Sequence, residues 1–178
     1  MKVICFGDSN TWGYDPRSYF GERYEQGWVE LLGKVSGWHT VNRGQNGRTI
    51  PEDPVLIPPE TRLFLVMLGT NDLLQGFSAE ETAERMRDFL LPMDHEHLML
   101  IAPPPLIRGA WVEDDALLQS SLELAAAYRR VAAELNVAFV DAGTWNIPLA
   151  FDGVHFREEG HRIFAERLYK YIKEEQIC

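Results

Sequence analysis

At 178 residues, 46% apolar and 25% charged, the chain is long enough to bury a substantial core without disulfides or metals. A formal charge of −10 and a pI near 4.9 argue against nucleic acid or an anionic membrane surface as main partner. No apolar run approaches the ~20 residues of a membrane span.

Val3 to Phe6 is a short apolar run with a β-branched start, and reads as a buried strand. With the first strand opening at Lys2, no secretory signal is expected. Cys5 lies inside this strand and Cys178 ends the chain, so both read as free thiols in a reducing cytoplasm. Gly7-Asp8-Ser9-Asn10 then breaks the strand, and Asp8 is expected to hold the turn by bonding nearby backbone N–H groups. Thr11 to Gln26 is a loop rich in aromatic and charged residues, Trp12 and Tyr14 among them.

From Gly27 to Ser36, Trp28, Leu31, Leu32 and Val35 recur at helical spacing, and Gly37 stops the helix. His39 to Asn42 is a second strand, followed by a loop, residues 43–48, with glycine at 44 and 47. Pro51, Pro54, Pro58 and Pro59 keep residues 49–60 from forming a long helix. Arg62 to Leu68 is the most apolar strand and is expected at the centre of a sheet. Ser78 with Glu81 makes a capping box for a helix whose buried stripe is Ala83, Met86, Phe89 and Leu90. Leu98 to Ala102 is a fourth strand, cut by three prolines. A long helix follows, with Leu117, Leu118, Leu122, Ala125, Tyr128, Val131, Ala132 and Leu135 as its apolar stripe. Val137 to Val140 is a fifth strand, and Ile163, Phe164, Leu168, Tyr171 and Ile172 define the last helix.

Strands alternating with helices predict an α/β fold, a parallel sheet covered on both faces. Five strands suit the flavodoxin-like three-layer α/β/α arrangement with order 2-1-3-4-5. With neither linker nor internal repeat, residues 1–178 read as one domain. In that order Ser9 follows the first strand, Gly47 the second, Asn71 the third, and Asp152 with His155 the fifth. All five lie on one edge of the sheet, where open α/β sheets bind ligands.

These residue types are those acyl transfer requires. A serine hydroxyl becomes a competent nucleophile when an imidazole takes its proton, and a carboxylate fixes that imidazole's tautomer. Ser9, His155 and Asp152 are therefore expected as nucleophile, base and orienting acid. The Asn71 amide and the backbone N–H groups of Ser9 and Gly47 are expected to form an oxyanion hole.

FGDSN, NRGQNG, LGTND and DGVHF, in that order, resemble the four sequence blocks of the SGNH hydrolases, the GDSL esterase/lipase family. The resemblance spans residues 6–156 and implies the same nucleophile, oxyanion donors and His155–Asp152 pair, on a flavodoxin-like fold. Position 10 is Asn where the family's name has Leu, and the proline-rich stretch replaces a helix that many relatives carry. The motifs look closest to the short-chain arylesterase/acyltransferase and carbohydrate-esterase-like members. A serine esterase without cofactor, releasing short acyl groups, acetyl first, from aryl or sugar alcohols, is the expected function. Its rivals are a thioesterase, lysophospholipase or acyltransferase on the same site, and an inactive flavodoxin-like binding module.

Asn10, Trp12, Trp111 and Val154 are candidates for the substrate pocket, and the aromatics Trp12, Trp111, Trp145 and Phe151 read either as lining an acyl or sugar site or as core or loop packing. Arg17, Arg43, Arg48 and Arg108 read as solvated charges, and His161 as a surface residue. His95 and His97 lack the further ligands a metal pair needs, so no metal is expected. The expected partner is a small-molecule ester, with no nucleic acid and no membrane span. A homo-oligomer is left open.

Overall fold

A computed structural model describes residues 1–177, and Cys178 lies outside the described residues. Five strands, β1 (Lys2–Gly7), β2 (His39–Gly44), β3 (Leu63–Met67), β4 (Leu98–Ala102) and β5 (Ala138–Asp141), form one sheet. Every pairing is parallel and the order is β2-β1-β3-β4-β5, as the strand pattern predicts. The helices are α1 (Ser9–Trp12), α2 (Trp28–Ser36), α3 (Thr70–Leu74), α4 (Ala79–Leu90), α5 (Asp115–Leu135) and α6 (Glu158–Glu174).

Alternation along the strands sorts the core into two slabs. Ile4, Phe6, Phe64 and Val66 face α4 and α5, while Val3, Cys5, Leu63 and Leu65 face α2 and α6. β3 and β4 are buried along their whole length, which is why their sequences are apolar throughout. The connection from β2 to β3 is the unusual one. Its prolines exclude a helix, and Ile50 anchors it to the α4 side of the core.

Helix ends follow their local chemistry. Ser78 and Glu81 make both bonds of the capping box, and Gly37 closes α2 at φ 72°. Two one-turn helices, α1 and α3, stand where the sequence suggests only turns, because four or five residues carry no helical period. β2 runs two residues further than expected, and β5 sits one residue later.

Leu122 and Val35, expected in buried stripes, are 60% and 44% exposed. Buried positions on α5 include Ser121, Leu124, Tyr128 and Leu135, so Leu122 is rotated off the face. Ser121 is tolerated there because its hydroxyl accepts from Leu106 N–H (3.1 Å) and donates to Leu118 C=O (2.8 Å).

His161 is the larger correction, since it is fully buried rather than on the surface. Its ring packs between Tyr24 and Phe156, and Nδ1 accepts the Trp28 N–H at 3.2 Å. That N–H belongs to the first turn of α2, whose Gly27 N-cap offers no side chain. A neutral imidazole thus does a cap's work from another helix. Burial, with help from Arg23, pushes the imidazole pKa down to about 3.

The unfolded chain therefore protonates His161 below about pH 6.5 while the folded chain keeps it neutral, so this contribution to stability drains away on acidification. His161→Phe strands the Trp28 N–H and should lose about 1–3 kcal/mol in urea unfolding at pH 8. The gap to wild type should narrow toward pH 4, and a gap that widens there would contradict this account.

Candidate active site

Parallel strands put all their C-terminal ends on one edge, and the loops from four of the five ends meet there. At the end of β1, Asp8 is the N-cap of α1 and its Oδ1 accepts the Asn10 N–H at 2.9 Å. Ser9 thereby becomes the first helical residue, with its own N–H lacking an intrahelical partner. The helix sits very close to the sheet. A Cβ on Gly44 would lie 2.1 Å from Trp12 N, so only glycine at the end of β2 admits α1.

Ser9 Oγ lies 3.0 Å from His155 Nε2 across 146 residues of sequence. His155 Nδ1 lies 2.7 Å from Asp152 Oδ2, and Asp152 Oδ1 accepts the backbone N–H groups of Val154 (2.9 Å) and His155 (3.0 Å). All three residues are buried, Ser9 being 7% exposed, His155 3% and Asp152 1%. Burial opposes ionisation of Asp152, but the His155 ring and the two backbone donors outweigh it and hold the carboxyl below its usual range. An ionised carboxylate only accepts, so Nδ1 carries the ring proton and Nε2 is left to accept from the Ser9 hydroxyl. That alignment lets a hydroxyl shed its proton into the ring as it attacks an electrophile.

The β2 and β3 ends form a second cluster. Gly47 has φ +71°, which favours glycine, and its turn is fastened to β1 by Gln45 N–H on Gly7 C=O (3.1 Å) and by Arg48 Nη1 on the same oxygen (3.0 Å). Asn71 Nδ2 donates to Arg48 C=O at 3.0 Å, so its amide is oriented by the residue that follows Gly47. One Nδ2 hydrogen remains free for another acceptor.

The pocket candidates separate. Trp111, 54% exposed, stands nearly perpendicular to the His155 ring, the centroids 5.2 Å apart. Trp12 lies under the Arg23 guanidinium, on the β2 side. Asn10 and Val154 are each only 3% exposed and are bonded to one another, so they belong to the framework rather than to a pocket wall. Trp145 packs on Phe164, and Phe151 stays exposed. A groove of about 810 Å³ runs beside the 13–26 loop, lined by Tyr24, Leu31, Phe151 and Arg157 among others, and reaches neither Ser9 nor His155. Arg17 and Arg108 pair with Asp15 and Asp115, whereas Arg48 is half-buried over Phe6 and structural rather than solvated. His95 Nε2 meets Leu90 C=O, and no cluster of His, Cys, Asp and Glu suited to a metal occurs among the described residues.

The sequence model of the GDSL-like lipase/acylhydrolase family matches residues 5–163. The chain belongs to that family. It is thus an esterase of the SGNH group, on the α/β fold the group shares. Among solved structures it is similar to an aryl esterase from M. smegmatis, 24% identical over 97% of this chain and 98% of that one, with a TM-score of 0.82. A carbohydrate acetylesterase family member from Sinorhizobium meliloti is 26% identical over 97% of both chains, at 0.80. A lipase/acylhydrolase from Enterococcus faecalis is 22% identical over 98% and 96%, at 0.74. No curated protein matches the chain.

Two features of this GDSL-family site escape sequence reading. Tyr14 lies against His155, the ring centroids 4.5 Å apart. Its only signal is its place five residues after the serine. Asp72, fully buried beside Asn71, accepts Ile50 N–H (3.1 Å) and Arg85 Nε (3.0 Å), tying the proline-rich crossover to β3.

Asp8 is buried as well, and burial lifts its carboxyl pKa to about 6 despite the Asn10 N–H. Between its ordinary value and about 6, the folded state holds a proton that the unfolded state has released. The stability linked to Asp8 is therefore full in acid and lost as the pH rises through 6. Asp8→Asn keeps an acceptor for the cap, so its melting temperature relative to wild type should be higher at pH 8 than at pH 4.5. A difference independent of pH would contradict this.

Proposed function

We propose that this enzyme hydrolyses short-chain carboxylic esters, acetyl esters first, of aryl or sugar alcohols through an acyl-enzyme. The observation that carries the reading is the unbroken line Ser9 Oγ to His155 Nε2 (3.0 Å) and His155 Nδ1 to Asp152 Oδ2 (2.7 Å). Ser9 attacks the ester carbonyl and His155 takes its proton. The resulting oxyanion is met by the N–H groups of Ser9 and Gly47 and the free hydrogen on Asn71 Nδ2, each such donor being worth roughly 3–4 kcal/mol. The imidazolium then protonates the leaving alcohol. Water, deprotonated by the same ring, releases the acid.

Two features support the choice of substrate. Ser9 is narrowly exposed, which suits a small acyl group, and the half-exposed Trp111 offers apolar ring surface beside His155 for an aryl or sugar ring. The similar S. meliloti protein is described as a carbohydrate acetylesterase family member. In the same reading the protein works in the reducing cytoplasm, where the buried Cys5 thiol, its pKa raised by burial, stays inert.

Ser9→Ala should lower p-nitrophenyl acetate hydrolysis by about 10⁴-fold or more with an unchanged circular dichroism spectrum. Wild-type activity in that variant would refute Ser9 as nucleophile. Across p-nitrophenyl esters from acetate to palmitate, kcat/KM should be highest at acetate and fall with chain length. A maximum at long chains would replace the short-chain reading by a lipase.

A further inference from the structure

We propose that Asn10 is a positioning residue that holds the His155 ring in register with Ser9, a role that rests on the reading of those two as base and nucleophile. Asn10 is buried, and both ends of its amide are used. Nδ2 donates to Val154 C=O at 3.1 Å, and Oδ1 accepts the Phe156 N–H at 2.8 Å. Val154 and Phe156 flank His155, so the side chain next to the nucleophile grips the backbone on both sides of the base. Its own N–H is fixed by Asp8, which sets the origin of the grip in the same turn that presents Ser9.

The other bonds of this loop do not perform that task. Asp152 orients the ring, but Asp152 belongs to the loop and moves with it. The bonds from Ile107, Ala110 and Trp111 to the carbonyls of Gly153, Phe151 and Asp152 fasten the loop to the chain beyond β4, not to the turn that presents Ser9. Among the described residues the hydrogen bonds joining α1 to the loop are the two from Asn10 and the Ser9–His155 bond itself. The last is broken in every catalytic cycle. Asn10 then supplies the hydrogen bonds that still tie α1 to the loop while that proton moves. Leucine, the residue in the family's G-D-S-L signature, makes neither bond at this position.

Asn10→Leu is compared with wild type and Ser9→Ala for kcat and KM on p-nitrophenyl acetate, and for the ¹⁵N resonance of His155 Nε2. Displacing a reacting group by about 1 Å costs on the order of 10²-fold, so kcat should fall by that order while KM changes little. The Nε2 resonance should move to its position in Ser9→Ala, because both variants lose the same hydrogen bond. A wild-type kcat with an unmoved resonance overturns the proposal. If Asn10→Leu does not fold, Asn10→Ser removes both bonds with a small neutral group, too short to span to Val154 and Phe156. It should give the same fall in kcat and the same displaced resonance, and wild-type values there overturn the proposal equally. Full activity in Ser9→Ala would instead refute the nucleophile assignment, and the resonance alone would then decide the role of Asn10.

Discussion

Strand direction is the constraint from which the rest of this molecule follows. With all five strands parallel, every chain segment leaving the sheet at its C-terminal edge meets the others there, however far apart they lie in sequence. β1 pairs with both β2 and β3, so the turns after Gly7, Gly44 and Met67 are neighbours before any side chain is considered. The fifth strand lies three places from β1. Its loop crosses that distance through ten residues, a short 3-10 turn included, before Asp152 is reached.

What turns adjacency into chemistry is a set of buried polar groups bonded largely to backbone. Asp8, Asp72 and Asp152 are each at most 1% exposed, and each accepts N–H groups of its own or a neighbouring loop. Burying carboxylates is expensive, and Asp8 and Asp72 show it in raised pKa values, whereas Asp152 is lowered by its histidine and backbone donors. Fixing loops by such bonds keeps the reacting groups in place before substrate arrives, so little reorganisation is needed during reaction. Asn71 and Asn10 extend the scheme as neutral amides spanning different loops.

The fold was legible in the sequence because burial on both faces makes β3 and β4 apolar without interruption, and because glycines and a capping box mark helix ends. Ser9, Asp152 and His155 were legible as neighbours for the topological reason above, and so was the approach of the Gly47 turn to Asn71. The misreadings have physical causes too. His161 shares the spacing of Phe164, Ala165 and Leu168, but its residue type outweighed that period, and only the Trp28 N–H across the interface explains its burial. Ser121 takes the buried place that the pattern assigns to Leu122, because a satisfied hydroxyl reads as polar in one dimension. The grip of Asn10 on the His155 loop joins residues 144 and 146 positions apart, a distance no local pattern reports.

The most direct measurement of the central claim is the structure of the protein after reaction with a fluorophosphonate, whose tetrahedral phosphorus imitates the attacked carbonyl. The account predicts phosphorus bonded to Ser9 Oγ, with its free oxygen about 2.7–3.1 Å from Ser9 N, Gly47 N and Asn71 Nδ2. Phosphorus on another residue, or an oxygen turned away from Gly47 and Asn71, would contradict it.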